Sequence, residues 1–95
     1  MDPRNLERQN LDSEVALAIS VARRMRPPMK VFASQICREM GWRSLSCRAV
    51  YAWEAGHARV PAVALLAAAQ VTHTSVDELL AKARNLERLG LRPGE

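Results

Sequence analysis

Apolar residues recur along this chain at helical spacing, and no stretch keeps the alternation of a strand. Val15, Ala18, Ile19 and Ala22 follow the three-four spacing of one helix face. Asp12 or Ser13 can cap that helix, with Glu14 favourable in its first turn. Pro27 disfavours helical geometry at Arg26, so the spacing predicts a first helix over about 13–25. Residues 1–11 show no clear period and read as a flexible tail, with at most a frayed turn around Leu6. A second helix is predicted over 30–40, with Phe32, Ile36 and Met40 inward and Val31 or Ala33 beside them. Gly41 supplies its left-handed stop. After the connection "WRSLS", Ser46 or Ser44 caps a third helix that runs to about Ala55 and stops at Gly56. "HARVP" reads as a loop, and Pro61 suits the first turn of a fourth helix over roughly 61–71. "THT" interrupts, and Ser75 with Glu78 has capping-box spacing at the start of a fifth helix over about 76–89. Gly90 followed by Leu91 fits a Schellman cap, leaving 92–95 as a tail. The expected fold is all-α, a bundle of about five short helices forming one domain over 12–91.

Composition supports that reading. A chain of 95 residues holds one core. Apolar residues are 48% of it but aromatics only 4%, so Ala, Val, Leu and Met must fill the interior, a palette that favours helices. The longest apolar run, "VPAVALLAAAQV", is too short to span a bilayer, so no membrane partner is expected. The opening "MDPRNLERQN" is polar and charged, unlike a secretory leader, and the two cysteines are expected to be reduced. A cytoplasmic, nucleoid-associated setting follows as an expectation.

Charge placement sharpens the picture more than its net value of +4. From Arg23 to Arg59 eight basic residues face two acids, Glu39 and Glu54. That middle carries +6, so the remainder carries −2. A basic middle is the footprint of a polyanion partner, although a solvated basic surface without a partner has the same composition. Arginine outnumbers lysine twelve to two, which suits bidentate contacts to phosphate and guanine but also follows from genomic base composition.

The stretch "SCRAVYAWEAGHARVP", residues 46–61, has two unlike faces. Val50 and Trp53 lie three apart and point one way, with Glu54 beside them. Cys47, Arg48 and Tyr51 lie opposite, with Ala52 and Ala55 further along. A helix serving only a core would not need such an outward face.

Small-residue helix 2, a glycine turn and a capped third helix describe a helix-turn-helix. The segment from "ICREMG" through "AVYAWEAG", "RVP" and "TSVDELL" resembles the lambda-repressor-like, Cro-type (XRE) helix-turn-helix family. The resemblance covers roughly residues 13–81, and its motifs are specific in combination rather than singly. It departs in one place. The turn glycine of the family usually lies about nine residues before the position of Trp53, whereas Gly41 lies twelve before it, so "WRSLSCR" is about three residues longer. The loop "RMRPPMKV" is also extended. The enlarged turn carries Trp42 and Arg43, where they could touch DNA or a partner.

The resemblance implies that the third helix enters the major groove of double-stranded DNA. Cys47, Arg48, Tyr51 and Ala52 are then the expected base readers, with Arg48 able to donate to guanine O6 and N7. Lys30, Ser34, Arg43, Ser46, His57 and Arg59 are the expected phosphate contacts. The acid at Glu54 is expected to pair with an arginine of the first helix, Arg23 first and Arg26 second, and so to fix the third helix in place. Leu79, Leu80, Ala83, Leu86 and Leu89 form an apolar stripe longer than one small domain needs, and Leu79, Ala83, Leu86 and Leu89 are the expected homodimer contact. Packing on the first helix explains the same stripe.

The expected function is a sequence-specific regulator of transcription, a dimer on a near-palindromic operator. The alternative is the same motif used as a protein-interaction module, such as an antitoxin or a sigma-factor partner. Catalysis, cofactor and small-molecule ligand are not expected, because no His–Ser–acid set or carboxylate pair converges. Cys37, Cys47 and His57 lack metal-ligand spacing and a fourth ligand, so no metal is expected either. Cys37 reads as core, and Cys47 as a small groove-facing residue or a redox sensor.

Overall fold

The computed structural model describes the backbone of residues 3–90 and the side chains of residues 12–90. Within them the chain is all-α, five helices with no strand. These are α1 (Pro3–Met25), α2 (Met29–Met40), α3 (Cys47–Ala55), α4 (Ala62–Val71) and α5 (Val76–Arg88). The contact expected from Leu91, the tail at 92–95 and the side chain of Leu6 lie outside the described residues.

The first helix departs most from its predicted bounds. It starts at Pro3, nine or ten residues before the cap signal at 12–13. No glycine or proline separates Arg4 from Arg26, and proline is well suited to a first turn. Asp12 and Ser13 are exposed within the helix, where a capping residue costs little. The backbone assigned to a tail is therefore helical from Pro3 onward.

Elsewhere boundaries shift by a residue. Met29 is buried and opens α2, one residue before the predicted start. The Pro27–Pro28 bond just before it is cis. Of the two candidates beside Phe32 and Ile36, Ala33 is inside and Val31 outside. Pro61 precedes α4 as its cap instead of entering the first turn. Ser46, not Ser44, caps α3.

α1 is the central helix. It packs along α5 most extensively and also on α3 and α4, while α2 rests on α4 and more lightly on α3. Ile19, Phe32, Ile36, Val50 and Leu79 are fully buried at the centre. Ala18, Ala22, Ala64, Ala68 and Ala83 lie among them, and these small side chains let the helix axes approach closely. Leu79 and Ala83 are enclosed within the protomer, which corrects their assignment to a dimer contact. They are the fully buried residues of α5, and Val76, Leu80 and Leu86 pack partly buried against the same core. Of the four residues in that assignment, Leu86 is partly buried and Leu89 is exposed.

Four helices end in the same way. Gly41, Gly56 and Gly90 take left-handed conformations, and so does His73 at the end of α4. At Gly41 the amide bonds Arg38 O and the next amide, of Trp42, bonds Cys37 O, the paired bonds of a Schellman motif. His73 and Thr74 repeat that pattern to Gln70 O and Ala69 O. Thr72 sits in the same corner, its hydroxyl 2.8 Å from both Ala68 O and Thr74 Oγ1.

Candidate nucleic-acid interface

The third helix is held from one side and open on the other. Ser46 is extended, and its Oγ accepts a 3.1 Å bond from the amide of Ala49. This satisfies one of the free amides at the start of α3. At the other end the amides of Gly56 and His57 bond Trp53 O and Ala52 O. Between these caps, Val50 and Trp53 enter the core.

Glu54 is 4% exposed, a buried carboxylate that must be compensated. Arg23 Nε donates to both of its oxygens, at 2.8 and 2.9 Å. Ser20 donates its hydroxyl to Oε1 at 2.5 Å. Both donors come from α1, so a charge-assisted network ties α3 to the central helix. Arg26, the second choice as partner, goes elsewhere: its Nε donates to Val71 O at 3.0 Å, closing the end of α4. Sequence reasoning missed Ser20. The signal was present, since Ser20 stands three residues before Arg23 inside the apolar run "VALAISVA". The Arg26 bond had no such signal, because spacing alone does not say which helix end lies beside it.

The outward face of α3 presents Arg48, Tyr51 and Ala55 to solvent, with Cys47, Ala49 and Ala52 partly covered. Tyr51 is 54% exposed. The residues expected at phosphates, Lys30, Ser34, Arg43, Ser46, His57 and Arg59, are all exposed. They do not form one cluster. Arg43 and Ser46 lie in the turn that leads into α3. His57 and Arg59 line a depression with Asp12 and Val15 of α1, so an acid accompanies them. Ser34 lines a different depression, with Arg38, Glu39, Gln70 and His73, between α2 and the end of α4.

Cys37 and Cys47 are unpaired thiols, the first buried and the second partly so. Among the described residues no three His, Cys, Asp or Glu side chains are grouped to hold a metal ion. No described helix is long and apolar enough to cross a membrane. Compared with known protein families, characterised proteins and solved structures, the chain finds no significant match.

Proposed function

We propose that this chain is a sequence-specific binder of double-stranded DNA that regulates transcription, with α3 in the major groove. The observation that carries this reading is the two-sidedness of α3. Its inner side is fixed by Val50, Trp53 and the Glu54–Arg23–Ser20 network, while its outer side offers Arg48 and Tyr51 with no exposed acid between Ser46 and Ala55. A rigidly seated helix with a donor-bearing, acid-free face suits base-edge recognition. Arg48 is the principal reader, Tyr51 packs against a thymine methyl or bonds a phosphate, and Cys47 and Ala52 allow close approach. Arg43, Ser46, Lys30, Ser34, His57 and Arg59 hold the flanking phosphates.

In this reading the protein acts as a homodimer on a near-palindromic site, since one short helix in one half-site discriminates weakly. Leu86 and Leu89 are the part of the predicted contact still open to a partner. The exposed apolar residues Val63 and Leu66 on α4 support the second reading, a protein-interaction module in which DNA binding is secondary.

Selection from random duplex DNA, followed by titration against a scrambled duplex at several salt concentrations, tests the proposal. A two-fold symmetric motif with half-site centres about one helical turn apart and at least ~10³-fold preference is expected. Equal binding to both duplexes, collapsing steeply with salt, would leave only phosphate contacts and overturn it.

A further inference from the structure

The turn between α2 and α3 carries the one exposed tryptophan, Trp42, 42% exposed, while Trp53 is 5% exposed in the core. An exposed indole on a long connection would ordinarily be loosely held. Here its backbone is pinned at both ends. The Trp42 amide donates to Cys37 O at 3.1 Å, and the Cys37 thiol donates to Trp42 O at 3.3 Å. Gly41, in the left-handed conformation, sets the chain direction just before it. The ring is thus presented by a fixed stem, and little backbone freedom remains to be lost on contact.

The charge around it selects the partner. From Met40 to Trp53 the chain bears Arg43 and Arg48 and no acid. The nearest acid in sequence, Glu39, lines the depression shared with Gln70 and His73. An acid-free stretch that bears two arginines and a capped helix start complements a polyanion, and the exposed indole beside it adds apolar area to that contact.

We propose that Trp42 is a duplex-backbone contact: its indole lies on deoxyribose at the groove edge, its N–H donates to a phosphate, and Arg43 neutralises the neighbouring phosphate. This rests on the reading of α3 as the DNA-facing helix. It gives the lengthened turn a role, which is to widen the footprint along the strand without reading bases.

Three measurements on the full chain test it, using the selected duplex and a scrambled duplex of equal length and composition. Trp42→Ala weakens both duplexes by the same factor, about three- to tenfold, with the salt slope unchanged. Trp42→Phe recovers part of that loss, and Arg43→Ala lowers the salt slope by about one. In acrylamide quenching the indole of Trp42 becomes shielded on adding either duplex, with Trp42→Phe isolating the signal of Trp53. Should Trp42→Ala misfold, the Trp42→Phe titration and the quenching still decide. Unchanged affinity for both duplexes, or an indole quenched as freely in the complex as alone, overturns the proposal. So does a loss confined to the selected duplex, which would make the ring a base reader, or lost self-association with duplex affinity intact, which would make it a protein contact. If no duplex is preferred yet Trp42→Ala still weakens binding, the regulator reading falls and the backbone contact stands. Absence of binding to any duplex removes both.

Discussion

α3 and α5 are built alike at their ends and differently along their inner sides. Each starts with a serine whose Oγ accepts the amide three residues on, at 3.1 Å in both, and each is followed by a left-handed glycine. Inside, α5 is fastened by apolar contact, chiefly Leu79 and Ala83, which are fully buried. α3 adds to Val50 and Trp53 a buried carboxylate bound by Arg23 and Ser20. Apolar burial is non-directional and tolerates small rotations of a helix. Hydrogen bonds to a carboxylate are directional, so they fix the rotation of α3 and hence where Arg48 and Tyr51 point. On the function proposed for α3, the difference separates a helix that must only be attached from one that must also be aimed.

The largest expected effects test that contrast directly. Arg23→Ala leaves Glu54 buried with one donor and is expected to cost about 3 kcal/mol of stability. Leu79→Ala leaves a cavity and is expected to cost about as much. Denaturant titration would give both values. The two part company when binding is measured on the folded fraction: Arg23→Ala is expected to lose duplex preference and Leu79→Ala to keep it. A sharper form replaces the whole network by apolar residues, Ser20→Ala with Arg23→Met and Glu54→Met. Stability should return to near the parent value, because buried ion pairs are often matched by well-packed apolar groups. Duplex preference should not return. If it does, the network attaches α3 without aiming it.

Arg48→Ala comes next in size. It touches neither the core nor the network, so the melting temperature should hold while affinity for the selected duplex falls about 5- to 100-fold, and that for a scrambled duplex far less. Unchanged affinity for the selected duplex would remove Arg48 as a reader.

Ser46→Ala and Ser75→Ala compare the two caps. Each is expected to cost about 1 kcal/mol by chemical denaturation, since the geometry is the same. Only Ser46→Ala should also weaken duplex binding, because Ser46 stands at the start of the helix proposed to face DNA. Equal binding losses from both would mean that stability alone sets affinity.

Much of the fold was legible because its punctuation is local. Gly41, Gly56, Gly90, Ser46 and Ser75 each act through bonds within four residues, and each does in the structure what its residue type predicts. Apolar spacing marked Ile19, Ile36, Val50 and Trp53 as inward for the same reason. The start of α1 was not legible, because Asp12 and Ser13 carry a cap signal that nothing required the chain to use. Nor was the burial of Leu79 and Ala83 separable from a dimer contact, since a stripe on one helix does not name its partner. At the candidate site, the pairing of Arg23 with Glu54 rather than Arg26 followed the helix face. The placing of Ser34 in one depression and of His57 and Arg59 in another depends on how helices cross, which no short-range pattern encodes.

The smallest expected effect sharpens the contrast from the α5 side. His73 holds φ 55° between α4 and α5, a left-handed conformation that its side chain disfavours. The amides of His73 and Thr74 need that conformation to reach Gln70 O and Ala69 O, so the chain keeps it. Glycine adopts it freely but loses more entropy on folding, and the two terms oppose. His73→Gly is therefore expected to add only about 0.5–1 kcal/mol, raising Tm by about 2–8 °C. His73 lies at the end of α4 and has no bond to α3, so duplex affinity and preference should not change. A rise in Tm with constant affinity would show that the α4–α5 corner sets how firmly the bundle holds, and the α1–α3 network where it points. A change in preference would mean the two are coupled through α2, whose depression His73 helps to line.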